Sequence, residues 1–313
     1  MDNIVKRTFI PGDQWIYFKL YTGYKTADTI LSKTLPPIIA QLNAKNMIDK
    51  WFFIRYSDPH SHLRLRFYAN DVKNVSLIIS SINQAITPYV SNDLIWKMQL
   101  DTYQREMERY GTKTIEHTET IFHFDSEAIM NTLSILEGNE NNQQRWLLAL
   151  KMLDALFDDF EFNIDQKIEL ITKLSEDFKK EFRFTIKEGK LQLDKKFRAN
   201  RKLIEEIMID TSAKEWSIFL NIIKEKSISV MPVAKALLNM EIKQELEVPL
   251  NSLLRSYTHM MINRLFRTKQ RLYEMTLYDM LERYYTSLKA RNKYNTKIVH
   301  LASHESLTKA VTI

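Results

Sequence analysis

The spacing of the apolar residues changes near residue 113, and this change limits the fold more than any other feature of the sequence. Before it, QWIYFKLY (14–21) and KWFFIRY (50–56) are short, aromatic-rich runs typical of half-buried strands. After it, helical spacing prevails, as in QQRWLLALKMLDALFDDF (143–160) and IEEIMIDTSAKEWSIFLNIIKEK (204–226). We therefore predict an α+β protein, in which an N-terminal region containing an antiparallel sheet precedes a mainly helical C-terminal half.

The sequence predicts one compact unit rather than two independent domains. No Gly-, Pro- or Ser-rich linker separates the two halves, and no internal repeat is evident. We place this unit at residues 1–290. The remaining stretch, 291–313, is polar and weakly periodic, so we expect a partly disordered C-terminal tail. A helix is predicted within 27–46, broken or kinked at Pro36 and Pro37.

Composition excludes several classes of chemistry. The chain has no cysteine, and its five glycines form neither a GxGxxG nor a GxxxxGK[ST] pattern for a nucleotide phosphate. No HExxH pattern is present, so we assign neither a cofactor nor a metal. We predict a cytoplasmic protein without a membrane span, because no signal peptide and no run of about 20 apolar residues occurs. The net charge of +6 permits an anionic partner without identifying one.

The segment HLRLRFY (62–68) alternates strictly between apolar and polar side chains. In a strand, Leu63 and Leu65 face the core while His62, Arg64 and Arg66 form a cationic row, with donors about 6 to 7 Å apart. Neighbouring arginines suit a carboxylate, because guanidinium groups form forked, charge-assisted hydrogen bonds. We add Arg55, at the end of the preceding strand-like run, to the candidate substrate-binding residues. The competing interpretation is a solvated sheet face.

Two further patterns hold candidate functional residues. In DTYQREMERYG (101–111), Glu106 and Arg109 are neighbours if the segment is a helix or a turn, and Tyr103 lies just before them. A surface ion pair is the simplest explanation, whereas an arginine oriented for a substrate anion is the functional one. In the helical segment 256–266, His259 shares a stripe with Asn263. Histidine suits acid or base catalysis, although a structural histidine explains the pattern as well.

Several segments, in this order, carry a resemblance to a known family: FIPGDQWIYFKLY, WFFIRYSDPHSHLRLRF, YQREMERYG, IFHFDSEAI and SYTHMMINRLF. They resemble the C-terminal domain of class I lanthipeptide dehydratases, which also occurs as a free-standing thiopeptide-type bacteriocin biosynthesis protein. The segments run from Phe9 to Phe266, and QRLYEMTLYDMLERYYTSL extends the likeness to about Leu288.

The resemblance implies a lyase that eliminates glutamate. In this family, a glutamylation domain uses glutamyl-tRNA to esterify serine or threonine of a precursor peptide, and the C-terminal domain expels glutamate to leave dehydroalanine or dehydrobutyrine. We expect this chain to act as the second half of a split enzyme beside a separate tRNA-Glu-dependent glutamylation protein. Direct binding of nucleic acid is not expected, and homodimer formation is left open.

The resemblance also implies roles for residues that match the family's motifs. Arg66 matches the arginine of an RLR strand, with Arg64 beside it, and His259 matches a helical histidine. Glu106 and Arg109 match an ExxRYG motif. The implied catalytic residues are Arg66, Glu106, Arg109 and His259, and the implied substrate-binding residues are Arg55, His62, Arg64 and Tyr103. His259 transfers a proton, either as the base at Cα or as the acid at the leaving group.

One departure and two rival functions accompany this interpretation. Thr112 stands where the family commonly has a second glycine after RYG, so the turn differs locally. The related peptide pyridine synthases, which join two dehydroalanines by a formal [4+2] cycloaddition, are the enzymatic alternative. A non-catalytic subunit that holds a precursor peptide through exposed strand edges is the other.

Overall fold

The strands form one four-stranded sheet and one small two-stranded sheet. The computed structural model describes residues 5–136, 142–183, 187–209 and 216–310. The strands are β1 (Thr8–Phe9), β2 (Trp15–Thr22), β3 (Ile48–Ser57), β4 (Ser61–Ala69), β5 (Ile95–Asp101) and β6 (Tyr103–Gln104). The larger sheet is antiparallel, has the order β3-β4-β2-β5 and confirms the predicted strands. β1 pairs with β6 in the smaller sheet.

Helices between the strands build the first part of the core. They are α1 (Tyr24–Thr29), α2 (Leu35–Ala44) and α3 (Val75–Ser91), with a π-helical segment at Ile30–Thr34 and a 3-10 turn at Val72–Asn74. The predicted break is confirmed, because the π-helical segment separates α1 from α2 and both prolines lie in the first turn of α2. Packing of α2 on β3 and of α3 on β5 buries Ile39, Ile78 and Ile82.

The rest of the chain is helical, which confirms the predicted α+β class. Its helices are α4 (Met107–Tyr110), α5 (Ile115–Leu136), α6 (Asn142–Asp159), α7 (Ile164–Glu181), α8 (Lys187–Met208), α9 (Ser217–Ile242), α10 (Leu250–Leu265) and α11 (Gln270–Ala310). The helix predicted at 143–160 is found as α6. The one predicted at 204–226 corresponds to the end of α8 and the start of α9, and its residues 210–215 lie outside the described residues.

Side chains of α5 and α10 seal the outer edge of β3. The Phe53 amide donates to Ser126 Oγ (3.2 Å), and the Arg55 amide donates to Asn263 Oδ1 (3.0 Å). In return, Asn263 Nδ2 donates to the Arg55 carbonyl (2.8 Å), and Arg264 Nε donates to the Phe53 carbonyl (2.8 Å). An edge strand with its main-chain groups satisfied in this way is protected from pairing with another strand. The same contacts fix α10 against the sheet.

The chain divides into two compact units, a division that no linker in the sequence signals. The first comprises residues 1–160 and 212–270, and the second comprises 161–211 and 271–313. In the second unit, the buried Asp279 pairs with Lys179 (2.7 Å) and Arg283 (2.7 Å). α11 continues to Ala310, so the predicted tail is helical from 291 to 310, and its residues 311–313 lie outside the described residues. The boundary at residue 290 and the partial disorder stay predictions.

Within the described residues, each helix is too short or too polar to cross a lipid bilayer.

Candidate active site

The strand register places the predicted cationic row on one face of the sheet. Arg66 pairs with Tyr17 of β2 and Phe52 of β3, and Arg64 pairs with Lys19 of β2. Directly paired residues in an antiparallel sheet point to the same side, so these side chains share one face. The opposite face carries Leu63, Leu65 and Phe67, which are fully buried. The strict alternation in the sequence is therefore the alternation of the strand.

Arg66 is a buried cation that has aromatic neighbours but lacks a hydrogen-bond partner. Its guanidinium lies 4.2 Å from the ring centre of Tyr17, 4.8 Å from that of Tyr103 and 5.2 Å from that of Phe52. Its Nε and Nη1 are buried without a hydrogen-bond partner among the described residues. Burial lowers the pKa of Arg66, and Tyr17, Tyr103 and Glu106 act in the opposite direction. Such a group is costly for the fold and favours a bound anion.

Arg64, two residues before Arg66, is held by its neighbours. Its guanidinium lies 3.5 Å from the ring centre of Tyr56, and its Nε donates to His62 Nε2 (3.1 Å). The other ring nitrogen of His62, Nδ1, lies 2.8 Å from the His60 carbonyl oxygen. Because Nε2 accepts a hydrogen bond, Nδ1 carries the proton and His62 is neutral. Burial is the main cause that lowers the pKa of His62, and the charges of Arg64 and Lys19 add to it.

Glu106 and Arg109 form the ion pair that the sequence predicts, at the start of α4. Their Nη1 and Oε2 atoms are 3.6 Å apart, and both side chains are partly exposed, so the pair alone contributes little to stability. Arg109 is additionally fixed from α10, because its Nε donates to Ser256 Oγ (3.1 Å). That contact distinguishes Arg109 from an ordinary surface arginine.

The turn after α4 requires glycine at one position and tolerates threonine at the next. Gly111 has a φ of +79°, and an added Cβ would lie 2.6 Å from Thr114 Oγ1. Thr112, the departure from the family pattern, is exposed and donates its amide to the carboxylate of Glu247. The substitution therefore leaves the ion pair of Glu106 and Arg109 in place.

His259 lies on α10 between two residues that touch the rest of the site. Ser256, one turn before it, contacts Arg109, and Asn263, one turn after it, bonds the main chain of Arg55 in β3. Residues three and four apart share a helix face, so the half-buried His259 lies between α4 and the edge of β3. The structure thus places His259 on the helix face that also contacts Arg109 and the edge of β3.

The pKa of Tyr110 responds to several of the charged residues of the site. Burial raises its pKa to about 12, and Arg109, Glu106, Arg264 and Arg66 act on it electrostatically. Arg66, Glu106 and Arg109 are therefore all near enough to Tyr110 to act on it electrostatically, although 43 positions separate Arg66 from Arg109 in the sequence. The helix that carries His259 packs against α4, which holds Arg109 and Tyr110.

Two predicted substrate-binding residues have polar groups that are bound to other carboxylates. Arg55 lies on the opposite face of the sheet, since it pairs with Leu63, and its Nη2 bonds Asp28 Oδ1 (2.5 Å). It therefore does not join the cationic row. The hydroxyl of Tyr103 donates to Glu119 Oε1 (2.9 Å), and burial together with Glu119 raises the pKa of Tyr103 well above its usual value. Its ring rather than its hydroxyl faces Arg66.

The sequence reasoning missed residues that complete the cationic face. Tyr17 lies under Arg66, Tyr56 lies against Arg64, and Lys19 pairs with Asp101. The alternation of QWIYFKLY, which places Tyr17 and Lys19 on the same side, was the available signal. The contact of Ser256 with Arg109 joins residues 147 positions apart, so no local pattern could have revealed it. Among the described residues, no cluster of His, Cys, Asp and Glu could hold a metal ion.

Comparison with known proteins decides the family. A family model described as lantibiotic biosynthesis dehydratase C-term matches residues 15–285. The chain belongs to this family. The nisin biosynthesis protein NisB of Lactococcus lactis subsp. lactis is 32% identical over 141 residues, which are 45% of this chain and 14% of NisB. The subtilin biosynthesis protein SpaB of Bacillus subtilis is 22% identical over 180 residues, or 56% of this chain and 17% of SpaB.

Two solved structures share the fold of this dehydratase-family chain. The tRNA-dependent lantibiotic dehydratase MibB from Microbispora sp. 107891 superposes with a TM-score of 0.66 at 21% identity, covering 90% of this chain and 29% of MibB. The pyridine synthase TbtD from thiomuracin biosynthesis gives a TM-score of 0.61 at 11% identity, covering 86% of this chain and 98% of TbtD. The chain thus spans between about a seventh and a sixth of the curated relatives, and family membership indicates a dehydratase-related role in peptide biosynthesis.

Proposed function

We propose that this chain is a lyase that eliminates glutamate from glutamylated serine or threonine of a ribosomally made precursor peptide. The observation that carries the proposal is Arg66, a buried guanidinium with two nitrogens that lack partners among the described residues. It lies within electrostatic range of Glu106, which pairs with Arg109. An expelled carboxylate is the anion that such a guanidinium binds well. The glutamyl group would come from a tRNA-dependent glutamylation activity outside this chain.

The reaction needs a base and a site for a leaving carboxylate. A base removes the Cα proton, and the C–H electron pair becomes the Cα=Cβ double bond. The Cβ–O bond breaks at the same time, and glutamate departs with that electron pair as a carboxylate. No oxidant or reductant takes part, so the residues need only move a proton and stabilise charge.

Each residue of the site has a role that its position supports. Arg66 receives the ester carboxyl as it becomes a carboxylate. Arg109, oriented by Glu106 and Ser256, stabilises the negative charge that develops next to Cα. We assign His259 as the base, because a carboxylate is a weak base that leaves without prior protonation, whereas the Cα proton needs an acceptor.

The pyridine synthase alternative is supported by the fold shared with TbtD. A cycloaddition between two dehydroalanines expels no glutamate, so it gives no reason to keep a buried, unsatisfied Arg66 next to an oriented Arg109. Elimination uses both residues. The charged site therefore favours elimination over cycloaddition.

A synthetic precursor peptide carrying a glutamyl-serine ester tests the proposal directly. Incubation with the chain, followed by mass spectrometry, should reveal loss of glutamate to give dehydroalanine. Arg66→Gln and His259→Ala should accumulate unreacted ester, whereas Arg271→Gln should react normally, because Arg271 lies in the second unit and pairs with Glu181 on the surface.

Three outcomes would contradict the proposal or its residues. Recovery of serine in place of dehydroalanine would mean hydrolysis rather than elimination. Normal dehydration by both site variants would refute the residue assignments. A pyridine product from a peptide that already contains two dehydroalanines, with no reaction of the ester, would establish the cycloaddition instead.

A further inference from the structure

The Arg64 guanidinium is held in place at Nε, whereas its two terminal nitrogens remain available to a ligand. Its Nε is taken by His62, and its guanidinium plane rests on the ring of Tyr56. The terminal nitrogens Nη1 and Nη2 have no hydrogen-bond partner among the described residues, and the side chain is only partly buried. An arginine held in this way presents two parallel N–H groups in a fixed direction, the arrangement that binds a carboxylate in a forked manner.

The neighbouring cation on this face is already neutralised. Lys19 lies opposite Arg64 on β2 and forms an ion pair with Asp101 of β5. The side-chain hydrogen bond with Asp101 raises the pKa of Lys19. Arg64 has no carboxylate partner of this kind among the described residues, so it and Arg66 are the two arginines of the face that lack one.

The spacing of the two arginines along β4 is close to that of the two carboxyl groups of glutamate. Arg64 and Arg66 are two residues apart on the same side of β4, so their Cα atoms are separated by about 6 to 7 Å. The two carboxyl carbons of an extended glutamate lie about 5 Å apart. An ester formed through the α-carboxyl keeps its side-chain carboxylate free, so a bound glutamyl group presents two carboxyl groups to two arginines.

We propose that Arg64 binds the free side-chain carboxylate of the glutamyl group while Arg66 holds the ester carboxyl that leaves. This inference rests on the proposed function and adds a determinant of substrate specificity to it. His62 is a positioning residue in this arrangement, because its neutral ring accepts the Nε–H of Arg64 and so fixes the direction of the fork. A glutaminyl ester, which has an amide in place of the free carboxylate, would lose the charge-assisted contact.

The test compares two esters with a set of variants. Rates of elimination, as kcat/KM, are measured for glutamyl-serine and glutaminyl-serine peptides with the unaltered chain, Arg64→Gln, Arg64→Lys and Arg271→Gln. Arg271 is the matched control, since it is an exposed arginine of the second unit that pairs with Glu181. The unaltered chain and Arg271→Gln should prefer the glutamyl ester by about 10- to 100-fold. Arg64→Gln should lower the glutamyl rate far more than the glutaminyl rate, so that the preference is lost, and Arg64→Lys should keep part of the preference.

The position of His62 is tested through the same ratio. His62→Phe should lower the glutamyl rate more than the glutaminyl rate and so reduce the preference, whereas a purely structural role would lower both rates equally. His62→Gln, which keeps a hydrogen-bond acceptor, should restore part of the preference.

The outcomes separate this inference from the proposed function. Equal loss of both rates in Arg64→Gln, or no preference in the unaltered chain, would overturn the assignment of Arg64 while leaving elimination intact. Elimination from neither ester would refute the proposed function itself and the assignment of Arg64 with it.

Discussion

At the scale of single residues, the site contains an arginine whose position is unfavourable for the fold. Arg66 is 6% exposed, and its Nε and Nη1 have no hydrogen-bond partner among the described residues. The three aromatic rings around it stabilise a cation only partly, because a buried charge without an anion remains expensive. Arg264 is equally buried but is paired, since its Nη1 bonds Asp125 Oδ2 at 2.8 Å. The two arginines therefore form a natural comparison.

Replacing Arg66 with methionine should stabilise the protein while it abolishes elimination. We expect Arg66→Met to raise the free energy of unfolding by about 1 to 4 kcal/mol, because an apolar side chain of similar length removes the buried charge. Arg264→Met, the control, should lower it by about 3 to 5 kcal/mol, since it removes a partner of the buried Asp125. Urea unfolding measures both. A large loss of stability in Arg66→Met would mean that its aromatic contacts are structural.

The protonation of His62 should make the free energy of unfolding depend on pH. Its pKa is lowered in the folded chain, so below about pH 6.5 the unfolded chain binds a proton that the folded chain does not. The free energy of unfolding should therefore fall as the pH decreases from about 7.5 to 5.5. His117 and His123, whose pKa values are also lowered by burial, contribute in the same direction.

His62→Phe should make that pH dependence less steep without removing it. The measurement is urea unfolding of both proteins across this range. Identical slopes for the variant and the unaltered chain would show that His62 does not titrate differently in the two states.

At the scale of secondary-structure elements, the site depends on how α10 is attached to the edge of β3. Asn263 makes two main-chain hydrogen bonds to Arg55, and Ser256 reaches Arg109 from the same helix. The helix that carries His259 is thus attached to the sheet near its C-terminal end and to α4 near its middle.

Removing the hydrogen bonds between Asn263 and β3 should destabilise that strand and lower the free energy of unfolding. Asn263→Ala should reduce the free energy of unfolding by about 1 to 3 kcal/mol, because it leaves the amide and the carbonyl of Arg55 without partners. Asn251→Ala, an exposed asparagine on the same helix, should change it by less than about 0.5 kcal/mol. Hydrogen exchange at the Arg55 amide should accelerate in Asn263→Ala alone. Equal protection of that amide in both variants would contradict this role of α10.

Element types were predictable from the sequence because they depend on local spacing. The alternation in HLRLRFY and the helical spacing at 143–160 each correspond to an observed element. The position of Arg55 was not predictable from the same reasoning. Its sheet face depends on the register of β3 against β4, which pairs Arg55 with Leu63 and turns it toward Asp28, 27 residues earlier. Register is a long-range property, so a single strand sequence does not determine it.

At the scale of the whole molecule, the candidate site belongs to one of the two units. Arg66, Glu106, Arg109 and His259 all lie in the unit formed by residues 1–160 and 212–270. The first unit is interrupted in the sequence by residues 161–211 without a Gly-, Pro- or Ser-rich linker, which explains why the sequence indicated a single unit. The site residues themselves were indicated by their resemblance to family motifs, whereas their partners Tyr17, Tyr56 and Ser256 became visible only in the structure.

The most direct test of the central claim is the fate of the hydrogen on Cα. A precursor peptide carrying a glutamyl-serine ester is deuterated at the Cα of that serine, and the product is weighed by mass spectrometry after a single turnover. The account predicts dehydroalanine that has lost the deuterium, formed more slowly than from the unlabelled ester because the Cα–H bond breaks. Serine that retains the deuterium would mean that the ester is hydrolysed, and would contradict elimination at Arg66 and His259.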